Sequence, residues 1–155
     1  MRGHVIVPSH LLCASLFQAG GRERRLLQMA ETYLPTGIMP SILLVDDQPD
    51  LLDACYLVLT AEGYGVCRSH NGVEALEQAL RQPPDLIITD WIMPLMGGGE
   101  LCHQIRAHPA LTHIPILVHT ATLPSPSGVV NWNDWLIKPV PPALLLAAVK
   151  RWCPQ

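Results

Sequence analysis

Three carboxylates stand where short apolar runs end: Asp46 and Asp47 close the run that begins at Ser41, and Asp90 closes the run that begins at Asp85. In a parallel sheet the carboxyl ends of the strands share one edge, so side chains placed there can converge on one ligand. Converging acids repel each other, and holding them together costs free energy unless a hard cation such as Mg²⁺ sits between them. A metal-assisted phosphate site is therefore the first expectation.

The stretches that must position these groups alternate between strand-like and helix-like from Ser41 onward, the pattern of a parallel sheet covered on both faces. Strands are expected at Ile42 to Val45, Gly65 to Arg68, Leu86 to Thr89, Ile114 to His119 and Trp135 to Ile137. A first helix runs from Pro49 or Asp50 through Glu62 with Leu51, Cys55, Val58 and Leu59 on one stripe, and Gly63 stands where a left-handed cap belongs. Asn71 caps a second helix reaching about Gln82, with Val73, Leu76 and Leu80 facing inward and Pro83-Pro84 stopping it. A third helix spans Gly99 to Ala107, and the last, from Pro141 to Trp152, is entered through prolines that suit a first turn. The fold class is thus α/β, a doubly wound parallel five-stranded sheet. Leu144 to Val149 leave the last helix little polar face, so part of it should either stay exposed or be covered by a partner, as in a homodimer through this helix, or be packed by the N-terminal extension.

At 155 residues, 49% of them hydrophobic and 15% charged, the chain has the composition of a globular protein with one ordinary domain and something left over. The formal net charge is only −3, which argues against nucleic acid as a direct partner. Residues 1–40 carry four arginines against two glutamates, so this head is +2 and the remainder −5; the acidic excess lies with the three carboxylates. The head reads as an N-terminal extension, partly helical over Arg22 to Tyr33 or disordered, leaving residues 41–155 as the domain proper. His4, Pro8 and His10 interrupt its apolar stretch, against a signal peptide, and no apolar run approaches the roughly 20 residues that cross a bilayer. Five widely spaced cysteines suit a reducing compartment better than a disulfide framework, and His103, His108 and His113 lack the spacing of zinc ligands. The cytoplasm is the expected location.

Asp46-Asp47, Asp90 followed by Met93-Pro94 and Gly97-Gly98, then His119-Thr120-Ala121, then Trp135 and Lys138-Pro139, all in this order, resemble the receiver domain of two-component response regulators. The resemblance covers about residues 41–152 and implies a flavodoxin-like fold in which Asp90 accepts a phosphoryl group. It also implies a cofactor, Mg²⁺, held directly by Asp47 and Asp90, through water by Asp46, and by the backbone carbonyl of Ile92. Lys138, aimed inward by a cis peptide to the following Pro139, would place a positive charge against a phosphate oxygen, while the Thr120 hydroxyl and the Ala121 amide donate to others. Thr120 and Trp135 would form the switch pair. The implied partners are a sensor histidine kinase or histidine phosphotransfer protein and a downstream protein target, with no membrane involved.

Some positions depart from the family pattern. Gly97 stands where an Asp is usual, and Trp135 where Tyr or Phe is usual. Only 17 residues separate Thr120 from Lys138, and Pro124, Pro126 and Gly128 fall among them, so a fourth helix in this interval should be short, irregular or absent. Ile92 and Thr122 flank the path of a water attacking the phosphoryl group; an apolar Ile92 cannot orient that water, which implies slow self-catalysed dephosphorylation. Two other functions compete with a stand-alone phosphoacceptor. A phosphatase of the haloacid dehalogenase type needs an Asp two residues after its nucleophile as general acid, and Ile92 occupies that place. A phosphorylation-independent adaptor would keep the fold and bind through the apolar last helix.

Overall fold

The computed structural model describes residues 39–122 and 130–153. Nine elements follow in order: β1 (Ser41–Val45), α1 (Pro49–Ala61), β2 (Gly65–Ser69), α2 (Gly72–Arg81), β3 (Leu86–Thr89), α3 (Gly98–Ala107), β4 (Ile116–Thr120), β5 (Asp134–Ile137) and α4 (Pro142–Trp152). The strands form one parallel sheet in the order β2-β1-β3-β4-β5, the doubly wound arrangement expected. β4 begins at Ile116 rather than Ile114, because the Ile114 amide closes a turn onto the Leu111 carbonyl at 2.9 Å.

β1 is buried along its whole length because both faces of the sheet are covered, which is why it reads as an unbroken apolar run rather than an alternating one. Ile42 and Leu44 face a core shared with Leu52, Cys55 and Leu59 of α1 and Leu145 and Val149 of α4. Leu43 and Val45 face a second core with Ala75 and Ala79 of α2 and Leu101, Cys102 and Ile105 of α3. The stripe on α1 is centred on Leu52, Cys55 and Leu59, with Leu51 and Val58 only partly buried. Gly63 ends that helix at φ 87°, the left-handed geometry foreseen for it.

The inward face of α2 differs from the expected one. Asn71 caps the helix as foreseen, its Oδ1 accepting the Glu74 amide at 3.0 Å, and Glu74 reaches back to the His70 amide at 3.0 Å, so the two ends lock each other. The residues that face the sheet, however, are Gly72, Ala75 and Ala79, whereas Val73 and Leu80 are exposed and Leu76 is half-buried. Small side chains let the helix lie close to β1 and α3, and that close approach turns the larger ones outward. A Cβ on Gly72 would stand 2.6 Å from the Met96 carbonyl oxygen, which accepts the Gly72 amide at 3.0 Å.

Four helices are present among the described residues, and none lies between β4 and β5. Pro124, Pro126 and Gly128, on which that expectation rested, lie outside the described residues, as does the helix expected over Arg22 to Tyr33. β5 is an edge strand with Trp135 and Ile137 exposed, and Leu144 of α4 is exposed as the apolar last helix led us to expect. Cys55, Cys102 and Cys153 are free and buried, but Cys67 is disulfide-bonded, which departs from the expectation of unpaired thiols. No helix among the described residues is long and apolar enough to cross a membrane.

Candidate phosphoacceptor site

The register of the sheet explains why the three carboxylates meet. Val45 pairs with Ser69 on one side and Thr89 on the other, so the residues that follow β1 and β3 leave the sheet together. The Asp46 amide then donates to the Ser69 carbonyl at 3.2 Å and the Asp90 amide to the Val45 carbonyl at 2.8 Å, fixing both backbones at the carboxyl edge. Carboxylate oxygens of Asp46, Asp47 and Asp90 all lie within 4.8 Å of one another, with Asp46 and Asp90 buried and Asp47 exposed.

Lys138 enters this cluster from the end of β5. Its amide donates to the Thr120 carbonyl at 2.8 Å, the following bond to Pro139 is cis, and its Nζ lies 2.6 Å from Asp46 Oδ2 and 2.9 Å from Asp90 Oδ2. Burial pushes the Asp46 carboxyl above its usual range, against the opposing pull of Lys138 and the Gln48 amide. Burial also disfavours the Lys138 ammonium, yet its bonds to Asp46 and Asp90 outweigh that, and its pKa is held above the ordinary value. One ammonium among three carboxylates leaves a surplus of negative charge at a place open to solvent through Asp47. A hard divalent cation would cancel that surplus, so the donor set fits Mg²⁺.

Asp90 divides its two oxygens between different donors: Oδ2 faces Lys138, and Oδ1 accepts the amide of Trp91 at 2.6 Å. The Asp90 backbone carbonyl is crowded as well. It accepts the Thr89 hydroxyl at 2.9 Å, and a Cβ on Gly98 would lie only 2.1 Å from it. Gly98 also donates its amide to the Trp91 carbonyl at 2.9 Å, folding the loop after Asp90 back onto the start of α3. Gly97 serves as the N-cap of α3 without a side-chain acceptor.

The remaining expected residues are distributed around this centre. Thr120 is buried at the end of β4, its hydroxyl oxygen accepting the Thr122 amide at 3.5 Å, and Ala121 follows it exposed. Ile92 presents a side chain 69% exposed, and Trp135 lies outward on β5 at 47% exposure. Three features lacked a sequence signal. Gly98 could be seen as a turn glycine but not as the residue that admits the Asp90 carbonyl. His119 is 2% exposed on β4 with its Nε2 unpartnered among the described residues, and burial, reinforced by Lys138 and opposed by Asp90, pushes its pKa down to about 4. Trp132 packs edge-on against Trp91 with ring centroids 5.1 Å apart. Only the bare presence of two tryptophans hinted at that pair.

A carboxylate held between an ammonium and an amide, beside further acids suited to a divalent cation, can take a phosphoryl group once the oxygens being transferred are neutralised. Comparison with known proteins agrees with that chemistry. The response regulator receiver domain family matches residues 42–150. The chain is 36% identical over 105 residues to the sensor histidine kinase TmoS of Ectopseudomonas mendocina, covering 64% of this chain but 11% of that kinase. It is 34% identical over 116 residues to the transcriptional regulatory protein AfsQ1 of Streptomyces coelicolor, covering 72% of this chain and 50% of that regulator. The chain therefore spans half or less of the length of these two relatives. Among solved structures, the chemotaxis protein CheY4 of Vibrio cholerae superposes with a TM-score of 0.67 at 32% identity, covering 74% of this chain and 98% of that one. The receiver domain of the sensor histidine kinase PA1611 of Pseudomonas aeruginosa, solved with a magnesium ion in its active site cleft, gives 0.68 at 30% identity over 74% of this chain and 97% of that one. The match over most of the sheet and its carboxyl edge places this chain in the response regulator receiver domain family, whose members are phosphoacceptors of two-component signalling rather than conventional enzymes and work with histidine kinases or phosphotransfer proteins.

Proposed function

We propose that Asp90 is the phosphoacceptor of this receiver and that Lys138, Thr120 and the Ala121 amide bind the oxygens of the incoming group. The observation that carries this reading is the placement of Lys138 Nζ between Asp46 Oδ2 and Asp90 Oδ2, at 2.6 and 2.9 Å, inside the carboxylate cluster. Mg²⁺ would be held by Asp47 and Asp90 directly, by Asp46 through water and by the Ile92 carbonyl, and when bound it neutralises charge on the phosphoryl oxygens. Asp90 attacks phosphorus while Lys138 balances the charge that develops on the transferred group. The Trp91 amide keeps the acceptor carboxylate oriented through Oδ1. Ile92 offers no group to orient an attacking water, so the acyl phosphate is long-lived and dephosphorylates itself slowly.

The donor is a histidine kinase or histidine phosphotransfer protein in the cytoplasm, and the output is a protein contact rather than direct binding of nucleic acid or membrane. Residues 1–40 form an extension to a receiver domain of residues 41–155. The downstream contact uses the β5 edge where Trp135 and Ile137 are exposed, with Thr120 and Trp135 as the moving pair; a homodimer through α4 would use the apolar side of that helix where Leu144 is exposed. That uncovered face also favours the second reading, an adaptor that binds without phosphorylation.

Incubation with labelled acetyl phosphate and Mg²⁺ tests both readings. The wild-type chain should take up label and Asp90→Asn should not, while Lys138→Ala should label more slowly. Label on Asp90→Asn would overturn the assignment. Absence of any beryllofluoride- and Mg²⁺-dependent change in tryptophan fluorescence would favour the adaptor.

A further inference from the structure

The loop after the acceptor carries a pair of tryptophans whose arrangement the phosphoacceptor assignment leaves unused. Trp91 follows Asp90 directly, and its amide is the donor to Asp90 Oδ1 at 2.6 Å. One side of its ring meets the first turn of α3, where a Cβ on Gly99 would stand 3.0 Å from ring carbons Cη2 and Cζ2. Another side meets Trp132, with centroids 5.1 Å apart and planes at 73°, the edge-to-face geometry that aromatic pairs favour.

Trp132 is itself well anchored. The neighbouring Asn133 donates its amide to the Ile116 carbonyl at 2.8 Å, and its Oδ1 accepts both the Ile116 amide and an Arg106 guanidinium N–H at 2.8 Å each. Arg106 in turn donates to the Ile114 carbonyl at 2.8 Å, so the segment entering β5 is tied to α3 and β4. The Trp132 indole N–H is buried without a partner among the described residues, where the side chain is held by its ring contacts.

We propose that Trp132 is a positioning residue for phosphoryl transfer to Asp90, acting through Trp91; the inference rests on Asp90 being the acceptor. The pair braces the Trp91 backbone from the β5 side while the glycine-lined turn braces it from the α3 side. The Trp91 amide therefore holds Asp90 Oδ1 in one direction. In the reaction an Asp90 carboxylate oxygen forms a bond to phosphorus while the bond from phosphorus to the leaving atom breaks, an imidazole nitrogen in a phosphohistidine donor or an acetate oxygen in acetyl phosphate, and the donor departs with that electron pair. In-line attack of this kind depends steeply on the orientation of the attacking oxygen.

The test is the initial rate of labelling by acetyl phosphate at saturating Mg²⁺, with acetate as the leaving group, for six full-length chains. Trp132→Ala should slow labelling about tenfold, a modest share of what misplacement of a reacting group costs. Trp132→Phe keeps an aromatic edge and should stay within about twofold of wild type, and Gly99→Ala, which pushes the Trp91 ring from its other side, should also slow labelling. Leu111→Ala, fully buried in the same core, should lower the urea midpoint but leave the rate unchanged. Should Trp132→Ala not fold, Trp132→Leu takes its place. A wild-type rate in that chain, or an equal loss of rate in Leu111→Ala, would overturn the role of Trp132. No label on the wild-type chain, or label on Asp90→Asn, would instead overturn the acceptor assignment on which it rests.

Discussion

Asp90 can present its carboxylate to Lys138 and Trp91 only because its own carbonyl has somewhere to go, and that space is provided by the missing side chain of Gly98. A methyl group there would overlap the Asp90 carbonyl at 2.1 Å, and backbone on both sides leaves no flexible group to yield. Gly98→Ala should therefore destabilise the fold by about 3 kcal/mol, the scale of a serious overpacking, and slow labelling of Asp90 as well; urea unfolding measures the first effect, and an unchanged midpoint would sink the argument. Asp46, Asp47, Asp90 and Lys138 were legible in the sequence because their order and their places at strand ends left few other reasons for that set. Gly98 was visible only as a glycine of a turn. Its contact is with a residue eight positions earlier, and such tertiary closeness leaves no trace in spacing. For the same reason the packing of Trp132 on Trp91 was invisible.

Helix boundaries were readable from their punctuation. Asn71, Gly63, Pro49 and the Pro83-Pro84 pair each act locally, through a hydrogen bond, a backbone angle or a missing donor, so the sequence carries them directly. The buried face of α2 was not so readable, since Val73, Leu76 and Leu80 make one helical stripe and Gly72, Ala75 and Ala79 another. Hydrophobicity favours the first stripe. The second wins because α2 packs close to β1 and α3, where only small side chains fit. Two substitutions separate these accounts. Ala79→Leu should cost about 1–3 kcal/mol by forcing the helix outward, while Leu80→Ala should cost less than about 1 kcal/mol because that side chain is already 45% exposed. Urea midpoints of the two variants check this; a larger loss from Leu80→Ala would restore the sequence-based stripe.

At the scale of the molecule the sheet divides two cores, and His119 belongs to the strand that runs between them to the site. β4 pairs His119 with Leu136 and Leu117 with Asp134, so His119 shares the face of Leu136, which packs on the core under α1 and α4. An imidazole in that setting stays neutral: burial lowers its pKa to about 4, Lys138 adds to the effect and Asp90 resists it. The unfolded chain takes up the proton near the ordinary value of about 6.5. Between these two values the unfolded state binds more protons than the folded one, so stability falls as pH drops from about 6.5 toward 4, by about 3 kcal/mol in total. Asp46 works the other way, since its raised pKa lets the folded state take a proton first, and that gain enters only at the acid end of the window. The loss should therefore be clearest between about pH 6.5 and pH 5. Replacing His119 with Val removes the titrating group and supplies a side chain suited to a buried strand. Urea midpoints in metal-free buffer should fall with acid for the wild-type chain and stay nearly level over the same interval for His119→Val; parallel curves would show that the acid sensitivity arises elsewhere.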